Sequence, residues 1–175
     1  MIALIVRNTL RILFLVLVQG LVVNRIDLWN GTVLPFIYIF GILMLPINTP
    51  RSLLLVIAFA TGALVDMFTN TLGLHISASL VLAFMQPLVQ RALSPREGYE
   101  AGQRPTIQDM GLAWYVTYAG ILTLIHHLWL FFIELFRFTP FFSTLGKVLL
   151  STLATLLLLT IGQYLIYSPT DRRNQ

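Results

Sequence analysis

The chain has no cysteine, and only 10% of its 175 residues are charged. The first absence excludes disulfides and thiolate metal sites. The second excludes an ordinary water-facing surface, because soluble domains carry about 25% charged residues. Alternating polar and apolar runs, the mark of a membrane β-barrel, are also missing. Nor is there an HExxH pair for zinc or a nucleophile elbow. The Gly146 and Lys147 pair lacks both the upstream glycine and the following Ser or Thr of a phosphate-binding loop.

What the chain does have is apolar length. Hydrophobic residues make up 57% of it, and the mean hydropathy is +0.83. The apolar runs predict an all-α integral membrane protein with six transmembrane helices in one domain, 1–175. The expected spans are 2–23, 33–47, 53–68, 72–89, 111–136 and 145–167. Gln19 and Gly20 offer no small-x-small cleavage site, so the first helix is expected to stay attached. At 1.5 Å per residue the second and third spans reach only about 22 to 24 Å, against about 30 Å of hydrocarbon. A five-span arrangement, with the second helix re-entrant or the third and fourth only half-crossing, is the alternative. The 69–71 link forces the third and fourth helices to be an antiparallel hairpin.

The isoelectric point, about 9.9, reflects eleven basic residues against seven acidic ones. They are scattered between the apolar runs, which argues against a nucleic-acid surface. In the six-span arrangement Arg7, Arg11, Arg51, Arg91, Arg96, Arg104, Arg172 and Arg173 fall on one side, and Arg25, Arg137 and Lys147 on the other. Retention of positive charge in the cytoplasm then places both termini and the 91–109 loop there. That loop is too short to fold alone; it reads as a solvated connector or a docking segment for a cytoplasmic partner.

Ionisable residues inside spans cost roughly 2.5 to 3.5 kcal/mol on insertion and ask for a reason. Ala58, Gly62 and Asp66 form a stripe of small residues ending in a carboxylate, suited to close helix packing. Asp66 and His75 lie at similar depth across the short hairpin and could pair. Ser79 and Gln86 continue the His75 face, while Thr123, His127 and Glu134 share a face of the fifth helix. Both stripes are expected to face protein rather than lipid, packed within the fold or turned to a partner protein. His126 points about 100° from His127, so the two cannot easily hold one metal ion. Thr144, Ser151, Thr155 and Gly162 make a small-residue stripe on the last helix.

The stretch AFATGALVDMFTNTLGLHISASLVLAFMQP, 58–87, resembles the bacterial rod-shape-determining MreD family, particularly a Bacteroidetes-like branch. Gly62, three residues, Asp66, a short polar link and Gly73 match that family's pattern, with His75 beside them, and INTPR at 47–51 is similar too. The resemblance implies a non-enzymatic inner-membrane scaffold of the cell-elongation machinery, without cofactor or metal. It implies binding to the periplasmic membrane-anchored protein MreC. Actin-like filaments, a polymerising glycosyltransferase and its transpeptidase would be the other components of the machinery. The family is similar in fold to the substrate-binding S components of energy-coupling-factor vitamin transporters, which makes small-molecule capture the second expectation. S components look to use alanine motifs on their first helix, where this chain has only Ala3 and Gly20 as small residues. An intramembrane enzyme, the third expectation, requires Asp66 with His75, or Glu134 with His127, to come within about 3 Å.

Overall fold

A computed structural model describes residues 2–71, 73–100, 102–135 and 141–166, with side chains from residue 6 onward. Arg137, Arg172 and Arg173 of the charge count lie outside those residues. The described chain is all-helical apart from one isolated bridge between Leu28 and Val33. Its elements are α1 (Ile2–Leu21), α2 (Ile39–Leu43), α3 (Arg51–Thr69), α4 (Leu74–Ala92), α5 (Ile107–Met110), α6 (Leu112–Leu135) and α7 (Phe141–Ile166). A 3-10 turn, Val23–Arg25, follows α1.

Four stretches are long and apolar enough to cross a membrane: Val6–Arg25, Arg51–Thr69, Leu112–Leu135 and Phe141–Ile166. Their outward faces carry large apolar side chains, among them Phe14 on α1, Phe59 on α3 and Leu153 and Leu157 on α7, each more than half exposed. Such surface is stable against lipid rather than water. Although α4 is as long as α3, it is more polar, with His75, Ser79, Gln86 and Gln90 all buried. It packs against α3 on one side and α6 on the other, so its polar groups meet protein. α6 packs in turn on α7, and α1 on α3.

The segment 33–47 departs from its expected helix. Only Ile39–Leu43 is helical there, and residues 34–36 are non-helical. Pro35 and Pro46 remove two N–H donors from a fifteen-residue stretch, and a helix of that length has little to gain from closing the rest. The segment is nevertheless deeply buried: Tyr38, Ile39, Ile42 and Leu43 are fully inaccessible.

Backbone that is neither helix nor sheet survives at such depth only if protein satisfies it. Here flanking side chains do. Leu34 N donates to Ser151 Oγ at 2.9 Å and Phe36 N to Thr155 Oγ1 at 3.1 Å. Ile37 N donates to Gln19 Oε1 at 2.8 Å, while Gln19 Nε2 donates to Pro35 O at 3.2 Å and Asn24 Oδ1 at 2.7 Å. Further along, the Tyr118 hydroxyl donates to Leu43 O at 3.0 Å. Leu34 sits by Ser151, Phe36 by Thr155 and Met44 by Gln163. The segment therefore runs in the same direction as α7, advancing about 18 Å along it.

The 91–109 loop is more than a solvated connector. Tyr99 donates its hydroxyl to Gln90 O, Trp114 Nε1 donates to Leu93 O at 2.9 Å, and Ile47 N reaches Gln103 O at 3.4 Å. These bonds fold the loop back onto the end of the bundle.

Candidate functional site: the α3–α4 hairpin and the cavity beside it

At the end of α3, Asn70 takes the left-handed conformation (φ 55°) and Gly73 does the same (φ 84°) to open α4. Gly73 has no side chain to cap that helix. The cap comes from Asp66 instead. Its Oδ1 accepts from Thr71 Oγ1 at 2.7 Å, His75 N at 2.9 Å and His75 Nδ1 at 2.9 Å. Its Oδ2 accepts from Gly73 N at 3.0 Å and Ile76 N at 3.1 Å. A carboxylate on the first N–H groups of a helix satisfies donors that have no acceptor within the helix and lies at the positive end of its dipole. With Nδ1 as the donor to Asp66, the far nitrogen of His75, Nε2, is left without a partner.

Gly62 makes this geometry possible. A Cβ there would lie 2.6 Å from Ile76 Cα and 2.7 Å from His75 O, both backbone atoms that cannot give way. Gly62, Asp66, Gly73 and His75 thus serve one junction. Asp66 and His75 are 7% and 4% exposed, too little for their polar atoms to be satisfied by water.

Behind the hairpin the rings of His75, His126 and His127 surround Phe36, with centroids 5.5, 5.8 and 5.3 Å from it. The Tyr38 hydroxyl meets His126 Nε2 at 2.7 Å and accepts from Ser79 Oγ at 3.3 Å. His127 Nδ1 donates to Thr123 O at 2.8 Å, which leaves Nε2 to accept from Thr155 Oγ1 at 3.2 Å. Thr155 in turn accepts from Phe36 N, so a single directed chain of hydrogen bonds ties α6 through α7 to the unwound segment. Among the described residues no set of three His, Asp or Glu side chains is arranged to hold a metal ion.

A cavity of about 190 Å³ opens beside the hairpin. Phe36, Leu74 and Phe131 form apolar walls, and His75, Asn24 and Glu134 also line it. No family model, curated protein or solved structure matches the chain. Function has to be read from these residues and their geometry.

The structure brings Asp66 and His75 together but not Glu134 and His127. Glu134 is exposed and lies 4.0 Å from Lys147, whereas His127 is fully buried and held by Thr123 and Thr155. The partner-facing expectation for the stripes needs correction. Ser79, Thr123 and His127 are inaccessible and Gln86 is 1% exposed, so only Glu134 is free to meet another protein. The physical reason is internal pairing: Ser79 and Gln86 turn to Tyr38 and to Ile42 O of the non-helical 33–47 segment, and His127 turns to Thr155 of α7. Gln19, Tyr38 and Tyr118 were not among the candidate site residues. The signal that could have found them is the pair of prolines at 35 and 46, which leave a buried segment needing side-chain donors and acceptors.

Proposed function

We propose that this chain is a non-enzymatic, multi-pass scaffold of the bacterial inner membrane, of the MreD kind, that holds an MreC-like periplasmic protein for the cell-elongation machinery. The observation that carries the proposal is the shared junction of Gly62, Asp66, Gly73 and His75. Gly62, Asp66 and Gly73, which match the family's pattern, are tied together with the adjoining His75 into one capped hairpin, which gives each of them a reason to be there.

In this reading the chain crosses the bilayer six times, five times as a long helix and once as the 33–47 segment. The direction of that segment along α7 supports a full crossing over a re-entrant loop. Arg51, Arg91, Arg96 and Arg104 then lie on the cytoplasmic side, and Arg25 and Lys147 on the periplasmic side. The fold would be of the S-component type, and the hairpin end with its cavity would face the periplasm, where the anchored partner is.

The enzyme reading meets its distance condition, since Asp66 and His75 are 2.9 Å apart. Against it, the Asp66 carboxylate is committed to five donors that build the hairpin. Vitamin capture is disfavoured by volume: about 190 Å³ falls below the roughly 300 to 1,000 Å³ of small-molecule sites.

The test is affinity purification of the tagged protein from native membranes. Recovery of a periplasmic coiled-coil protein, lost on Asp66→Ala and kept on Glu97→Ala, is the expected outcome. Recovery of an ATPase module in its place would overturn the proposal in favour of the transporter class.

A further inference from the structure

At the other end of the bundle from Asp66, the 46–51 link, the start of α3 and the last turns of α4 enclose a larger cavity of about 350 Å³. Its charge has one sign. Arg51 and Arg91 line it, both exposed, and no Asp or Glu does. Pro50, Arg51 and Leu54 also bring the N-terminus of α3 to it. The first turn of that helix has no acidic residue and receives no side-chain cap, so its free N–H groups and the positive end of its dipole remain uncompensated. Together these features suit a phosphate.

A second feature narrows the ligand. Gln86 lines the cavity at 1% exposure, and its Oε1 has no hydrogen-bond partner. Its Nε2 reaches Ile42 O, at 3.5 Å. A buried amide oxygen left without a donor is costly. Tyr99, which also lines the cavity, commits its hydroxyl to Gln90 O. The missing donor has to be brought in.

We propose that this cavity binds a glycerol phosphate group, its phosphate on Arg51, Arg91 and the N–H groups of α3 and a hydroxyl donated to Gln86 Oε1. An ammonium headgroup would also bring donors, but its charge would oppose two guanidinium groups, whereas a hydroxyl carries none. The group has two sources, the headgroup of phosphatidylglycerol and soluble sn-glycerol 3-phosphate. The cavity lies where helices α3 and α4 end, at the level of lipid headgroups for a membrane-spanning bundle, which favours the lipid.

The full chain, purified in detergent, is mixed with phosphatidylglycerol, phosphatidylethanolamine or phosphatidylcholine and weighed intact by native mass spectrometry. One phosphatidylglycerol is retained in preference to the other two. Retention falls about ten-fold when Arg51→Gln and Arg91→Gln are combined, as loss of charge-assisted bonds requires. Arg96→Gln, on the same loop but off the cavity, leaves it unchanged. Gln86→Leu lowers the preference for phosphatidylglycerol over phosphatidic acid, which lacks the glycerol hydroxyls. In a parallel arm, a thermal shift given by sn-glycerol 3-phosphate and abolished by the paired arginine substitutions assigns the site to the soluble source. Lipid retention unmoved by those substitutions, with no shift from the soluble phosphate, overturns the proposal.

Discussion

His75 Nδ1 stands 2.9 Å from Asp66 Oδ1, so the last turn of one helix and the first turn of the next share a single carboxylate. The bond is short because three backbone N–H groups of the α4 start converge on the same side chain. Asp66 therefore acts less as an isolated buried charge than as the cap of a helix eight residues on.

Removing that cap is predicted to be expensive. Asp66→Ala strips the acceptor from Gly73 N, His75 N, Ile76 N and His75 Nδ1 at once, and each buried orphan costs about 1 to 3 kcal/mol. Thermal unfolding in detergent should fall by well over 5 °C, while Glu97→Ala, on an exposed loop, leaves it within a degree or two. Equal melting of the two variants contradicts the capping role.

Glycine substitutions should separate by environment. Gly62→Ala drives a methyl into the backbone of Ile76 and forces α3 and α4 apart, whereas Gly120→Ala meets Leu156 Cδ2 at an ordinary 3.6 Å and Gly146→Ala meets nothing. The last two gain helix propensity of up to about 1 kcal/mol. Melting temperatures are predicted in the order Gly146→Ala at or above wild type, Gly120→Ala near it, and Gly62→Ala far below.

The unwound segment offers a third test. Ser151→Ala and Thr155→Val each remove the acceptor of a buried N–H and should cost about 1 to 3 kcal/mol. Thr160→Val, whose hydroxyl merely bonds Leu156 O one turn back in its own helix, should cost under about 0.5 kcal/mol. Similar losses at all three positions would mean the segment does not depend on α7.

Because the native chain has no cysteine, single cysteines report sidedness without background. A membrane-impermeant maleimide should label Asn30→Cys from the periplasm and Asn48→Cys and Arg96→Cys only after the membrane is opened. Labelling of all three from one side would falsify the six-pass arrangement.

Five of the expected helices were legible because long apolar runs leave the backbone no other way to satisfy itself in lipid, and α4 continues through Pro87. The ends moved by a few residues: α3 begins at Arg51 rather than 53, since Pro50 is tolerated ahead of the first turn. The pairing of Asp66 with His75 was legible as well, because a three-residue link leaves two helix ends nowhere else to go. The path of 33–47 was not. Hydropathy reports that a segment is buried but not whether its hydrogen bonds are internal, and the acceptors that allow it to unwind lie more than a hundred residues away in Ser151 and Thr155. For the same reason the polar stripes of α4 and α6 admitted a reading as surfaces for another protein, when their partner was a distant part of the same chain.

That long-distance dependence has a bearing on how the protein is made. When residues 33–47 leave the ribosome, the helix that will accept the Leu34 and Phe36 N–H groups has not yet been synthesised, and lipid offers no substitute. Leu34 and Phe36 gain their acceptors only when α7 is in place, so a chain halted before that helix would be left with an open seam.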